Sequence, residues 1–193
     1  AMQRPPPIHY VAGNSIDLSI GDKFDSDVFT HNLTLNGYRS VDTVLEHGEF
    51  AVRGALLDVF PMGSPLPYRI DLLDDEVETL RTFDPETQRT IKKVQEIRLL
   101  PAQEFPLDAE AIERFQMSWF ETFDGDADSC PTFSEICRGR VPGGAGYYLP
   151  LFFKNCGSVF DYLPSNVALI LIGEHYTSAN NYWAQISNRY QEY

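Results

Sequence analysis

The chain has 193 residues, and its 15 basic and 28 acidic side chains give a formal net charge of -13. That length fits one large domain or two small ones, and a hydrophobic share of 43% supplies enough apolar surface for a core, which excludes wholesale disorder. The acidic balance repels phosphate backbones, and no apolar run approaches the ~20 residues a membrane helix requires.

Residues 1–7 are proline-rich, lack an apolar signal core and read as a linker. A short helix is expected over 26–35, with Ser26 or Asp25 as its cap and Asn36-Gly37 as its stop. From His47 to Pro101 the texture becomes that of strands, at 50–53, 55–60, 68–73, 78–83 and 94–100. Gly54, the Pro61-to-Pro65 run, Asp74-Asp75-Glu76 and Asp84-Pro85-Glu86 separate them. Spacing this tight leaves no room for helical crossovers, so the sheet should be antiparallel and meandering.

Residues 101–106 form a boundary. Asp108 then caps a helix whose Ile112, Phe115, Trp119 and Phe123 follow a 3.6-residue period. A glycine-rich loop at 142–146 leads to an aromatic stretch at 147–153. Residues 166–173 read as a fully apolar strand and 178–190 as a helix carrying Trp183, Ile186 and Tyr190 on one side. A strand and helix of that kind are half of a βαβ unit, which needs further parallel strands to bury it. The expected fold class is therefore α+β: a small, mainly antiparallel sheet domain with helices (1–106), then a partial α/β segment (107–193).

Signals for catalysis are weak. No glycine precedes the Lys-Ser/Thr pair of a phosphate-binding P-loop, and 143–146 reads as an ordinary connection. His9, His31, His47 and His175 have no neighbouring nucleophile pattern, and Ser64 lies in a turn without a nucleophile elbow. Three cysteines (Cys130, Cys137, Cys156) with no CxxC spacing read as reduced thiols. Asp124, Asp126, Asp128 and Glu135 occupy positions 1, 3, 5 and 12 of a calcium loop. Ser129 stands where the sharp turn needs glycine, and Pro131 opens a helix equally well, so no metal ligand is assigned. Eight of the fifteen cations lie within 38–106, so a surface that recognises something electronegative belongs there.

One stretch carries a longer pattern: Gly48-Glu49-Phe50, Arg53-Gly54, Asp58-Val59-Phe60-Pro61, Arg69-Ile70-Asp71, Asp74-Asp75-Glu76 and Phe83-Asp84-Pro85-Glu86-Thr87. It resembles the UvrB-homology region of the bacterial transcription-repair coupling factors (Mfd), and shares much of its pattern with UvrB. Met62-Gly63-Ser64, Leu66-Pro67-Tyr68 and the 97–102 tail favour the former. The resemblance implies a UvrA-binding domain at 1–106, then the second half of a degenerate helicase-like domain at 107–193. It implies a cytoplasmic, non-catalytic adaptor in nucleotide excision repair, with no cofactor. RNA polymerase and DNA would be reached only through other parts of a full-length protein. By motif, the family's UvrA-holding residues fall on Arg53, Arg69 and Leu73, where some members have Phe in the last place. Strand alternation puts Arg69 and Leu73 on one side, ~13 Å apart. The rival readings are a fragment of UvrB, or a small enzyme or calcium protein using the carboxylates of 124–135.

Overall fold

A computed structural model of the chain describes residues 4–191. By its internal packing the chain forms two compact units, Ala1–Tyr162 and Leu163–Tyr193.

The first unit is built on a six-stranded sheet. Its strands are β2 (Arg39–Ser40), β3 (Glu49–Arg53), β4 (Leu56–Phe60), β5 (Tyr68–Leu73), β6 (Glu76–Phe83) and β7 (Thr90–Val94), arranged spatially in sequence order. Every neighbouring pair is antiparallel except β2 with β3, which is parallel. The expected meander is thus present. A separate antiparallel pair joins β1 (Ile16–Ser19) to β8 (Glu96–Leu99).

The residues expected as a single strand over 94–100 belong to two sheets. Val94 ends β7, and Glu96 begins β8, whose partner β1 lies far back in the chain. Local alternation cannot register a partner so distant in sequence.

Helix α2 (Ser26–Leu35) lies over one face of the sheet. Asp25 caps it by accepting hydrogen bonds from the Asp27 and Val28 amides, and Gly37 ends it at φ 85°. Phe29 and Leu33 from this helix pack with Leu57, Val59, Ile70, Val77 and Leu80 of the sheet and with Leu18, Ile97 and Leu99 of the β1–β8 pair. The opposite face carries a smaller cluster of Val44, Ala51, Phe60 and Phe83.

The N-terminal segment differs from a linker, although residues 1–3 lie outside the described residues. Pro6 and Pro7 are buried, the Pro5 carbonyl accepts the Gly157 amide at 3.0 Å, and the Pro6 carbonyl accepts the Tyr162 hydroxyl at 2.7 Å. Pro7 then precedes a one-and-a-half-turn helix, α1 (Ile8–Gly13). Proline gives a chain without backbone donors, which suits a strap held by its carbonyls.

Beyond the sheet, α3 (Ala109–Thr122) is capped by Asp108, whose carboxylate accepts the Ala111 amide at 2.9 Å. Ala111, Phe115 and Trp119 form its buried face, while Phe123, just past the helix end, is 42% exposed with its ring centroid 4.6 Å from that of Trp119. They meet Phe133 and Ile136 of α4 (Pro131–Cys137) and Phe152 from 3-10 turns at Ala145–Phe152. Phe115 and Phe152 stack with centroids 4.8 Å apart. This aromatic core is a second centre of packing within the same unit.

In the second unit, α5 (His175–Gln191) replaces the expected helix and starts three residues earlier, with no buried residue. The apolar run before it is not a strand. Val167, Leu169, Ile170, Leu171 and Ile172 are exposed, and no strand pairs with them among the described residues. A strand is defined by the hydrogen bonds of a neighbour, and hydrophobicity alone cannot supply one.

Two tyrosines, Tyr38 buried and Tyr10 half-buried, give the first unit a pH signature. Burial, with the Asp108 charge adding to it, raises Tyr10 to about 12; burial raises Tyr38 to about 12 against a smaller opposing pull from the Met62 backbone. Both favour the protonated form in the folded state. Their contribution to stability is therefore complete below pH ~10 and is lost as pH rises towards ~12. Thermal melting should fall across that window, and a Tyr10→Phe, Tyr38→Phe chain should show a shallower fall.

Candidate functional site

β4 reads Leu56-Leu57-Asp58-Val59-Phe60, an acid set among apolar residues. Leu57 and Val59 point into the main core, so alternation turns Asp58 to the opposite face. There it is fully buried, at 0% exposure. A carboxylate in that position must be paired. Register places Arg69 of β5 directly across from it, and Arg53 ends the adjoining strand β3.

Both guanidinium groups converge on Asp58. Arg69 donates through Nε to Oδ1 at 2.7 Å and through Nη2 to Oδ2 at 2.8 Å, a two-point fork that only arginine can form. Arg53 donates through Nη2 to the same Oδ2. Arg69 is further fixed by an Nη1 bond to the Gln88 carbonyl at 3.2 Å, and its Cζ lies 4.5 Å from the centroid of the Phe83 ring. The Asp58 hydrogen bond raises the Arg69 pKa above its ordinary value, outweighing burial, and the Asp58 and Asp71 charges add to the rise. Two positive groups share one negative group, so the cluster retains an excess positive charge.

The two arginines are not equivalent. The Arg69 side chain is only 14% exposed, whereas that of Arg53 is 46% exposed. Arg53 can touch a partner directly. Arg69 offers an edge and chiefly holds the carboxylate that orients both.

Leu73 ends β5 at 61% exposure, before a turn in which Asp74 takes φ 55°. The bulge between Asp71 and Leu72 places its extra residue, Glu78, on β6, so the alternation of β5 is kept. Arg69, Asp71 and Leu73 therefore share a side, as the sequence pattern predicts. Asp71 does not serve Arg69 as an ion-pair partner; it accepts from Arg81 and from the Thr79 hydroxyl on β6.

Gln88 completes the support. It adopts φ 60°, a left-handed conformation that is strained for a residue with a side chain. Its Nε2 donates to the carbonyls of Val44, at 3.0 Å, and Pro85, at 2.7 Å, while its own carbonyl holds Arg69. Asp58 and Phe83 lie within the pattern that carries the resemblance, but the sequence assigns no site role to them or to Arg81 and Gln88. Only Asp58 carried a visible signal, an acid inside an otherwise apolar strand.

The remaining candidates have other partners. Glu135 pairs with Arg138 at 3.0 Å and Arg140 at 3.2 Å, and Asp126 accepts the Asp128 amide. Asp124, Asp126, Asp128 and Glu135 do not converge; among the described residues no group of three or more His, Cys, Asp or Glu side chains is placed to hold a metal. Cys130, Cys137 and Cys156 are free thiols. His47 stacks on Phe60 with centroids 3.9 Å apart, and its Nε2 lies 2.9 Å from the Ser64 carbonyl oxygen. No described helix is long and apolar enough to cross a membrane.

Comparison with known proteins places residues 16–105 in a match to the family described as the UvrB interaction domain. The chain is 43% identical over 191 residues to the transcription-repair-coupling factor of Escherichia coli, covering 98% of this chain and 17% of that protein. It is 42% identical to the factor of Haemophilus influenzae, covering 99% of this chain and 17% of the relative. The factor of Bacillus subtilis is 28% identical over 180 residues, 86% of this chain. The chain thus spans about one sixth of the length of such relatives.

Asp58→Asn keeps the shape of the side chain but leaves two guanidinium groups without their countercharge. It should lower unfolding free energy by about 3–5 kcal/mol in chemical denaturation. A loss below about 1 kcal/mol would mean that the triad does not organise this face.

Proposed function

We propose, for a chain that belongs to the transcription-repair-coupling factor family as its UvrB-homology region, that the Arg53–Asp58–Arg69 face docks the damage-recognition protein UvrA. The observation that carries this reading is one side of one sheet presenting a half-exposed guanidinium, a second guanidinium edge and an exposed leucine. Cation and aliphatic group side by side are common chemistry at the centre of protein interfaces. The face holds no nucleophile with a base beside it, which fits an adaptor better than a catalyst.

In this reading residues 1–106 form the UvrA-binding domain and residues 107–193 the second half of a degenerate helicase-like domain. The exposed run Val167 to Ile172 would then enter a parallel sheet whose other strands lie elsewhere in the full-length protein. Recruitment of UvrA to stalled transcription complexes, contact with RNA polymerase and translocation on DNA are roles of that longer protein. UvrB would compete for UvrA, making the contact a hand-over step.

The burial of Asp58 changes which test is informative. Reversing Arg69 would set a second carboxylate against a buried one and unfold the sheet, so loss of binding by that variant is ambiguous. Arg53→Glu and Leu73→Asp act on exposed groups. Leu73→Asp should leave thermal melting nearly unchanged, whereas Arg53→Glu should lower it because Arg53 also donates to buried Asp58. Each variant, assayed below its melting point, should weaken binding of purified UvrA by about 2–5 kcal/mol in calorimetry. Wild-type affinity in both variants would contradict the assignment.

A further inference from the structure

The six-stranded sheet ends at β7, and among the described residues no strand covers its outer edge. Residues 89–93 (Arg89, Thr90, Ile91, Lys92 and Lys93) are all exposed. Of the eight cations in 38–106, Arg39, Arg53, Arg69, Arg81 and Arg98 each face a carboxylate within 4 Å, whereas Arg89, Lys92 and Lys93 have no ion-pair partner among the described residues. In a chain of net charge -13, its unpaired cations in this region gather on one open strand edge.

This edge is continuous with the arginine face. Register runs Asp58 to Arg69, Arg69 to Arg81, and Arg81 to Lys93, one residue from each of four successive strands. Directly opposed residues share a face, so the four side chains form a transverse row at ~4.8 Å intervals. Three like charges in such a row repel one another unless countered. Asp58 counters Arg69 and Asp71 counters Arg81. Nothing described counters Lys93.

We infer that β7 is a second docking element, which receives an acidic, extended segment of the protein partner bound by the arginine face. The inference rests on the UvrA reading and adds to it the chemistry of the partner. An open edge offers unpaired backbone donors and acceptors that a peptide strand can match. Lysines on an edge discourage pairing with a second copy, because antiparallel self-pairing sets cation against cation. The same lysines favour a strand carrying carboxylates. Exposed Ile91, at 52%, gives that strand an apolar contact between the charges. A nucleic acid would use the cations but leave the backbone groups and Ile91 unmatched.

The test compares the wild-type chain with an Arg89→Glu, Lys92→Glu, Lys93→Glu variant, and with a milder Arg89→Gln, Lys92→Gln, Lys93→Gln variant should reversal disturb folding. Purified UvrA is titrated at several salt concentrations, and amide hydrogen exchange is followed in the complex. Reversal should weaken binding at least tenfold, neutralisation several-fold, and both should flatten the salt dependence. Amides of residues 89–94 in the wild-type chain should gain protection on binding. Equal affinity in all three chains, or no added protection at 89–94, overturns this inference while leaving the arginine face standing. Absence of binding by the wild-type chain overturns both. Binding of a short DNA duplex at micromolar concentration that the reversal variant loses would assign the edge to nucleic acid and overturn the inference.

Discussion

The arrangement turns on one buried carboxylate. Removing a charge from water costs several kcal/mol, and Asp58 has none of its surface exposed. The cost is offset by a bidentate bond from Arg69 and a further bond from Arg53, and that requirement fixes where both guanidinium groups point. A surface arginine ordinarily samples many rotamers, and ordering it on binding costs free energy. Here the ordering is completed during folding, so a partner docking on this face as proposed would meet cations already in place. The Phe83 ring and the strained backbone of Gln88 serve the same end from the other side of Arg69.

That constraint also explains why the sheet has two dissimilar faces. The face under α2 is packed with aliphatic and aromatic side chains and supplies the main core. The opposite face buries only a small cluster, Val44, Ala51, Phe60 and Phe83, beside the ion triad. A meander without crossover helices leaves such a face open. An open face of this kind would suit the docking role proposed above, and it lies on the part of the chain that matches the UvrB interaction domain.

Local chemistry in the sequence was a good guide where the determinants were local. The helix over Ser26–Leu35 begins and ends as expected because Asp25 caps it and Gly37 takes a left-handed conformation. β5 has the expected bounds, and alternation correctly places Arg69 and Leu73 on one side. Long-range pairing was illegible: β1 and β8 meet across nearly eighty residues, and neither strand exceeds four residues. The convergence of Arg53 and Arg69 on Asp58 depends on the register of three strands, which no window of sequence contains. The apolar run Val167 to Ile172 failed in a different way, because its composition matches a buried strand but no strand pairs with it among the described residues.

The most direct measurement of the central claim is an NMR titration that follows the Arg53 and Arg69 guanidinium signals and the Leu73 methyl signals as unlabelled UvrA is added. Arg53 and Leu73 should shift or broaden first, with Arg69 following through their shared carboxylate, while Leu57 and Val59 in the main core stay unchanged. Undisturbed Arg53 and Leu73 signals in a chain that nonetheless binds UvrA would contradict the account.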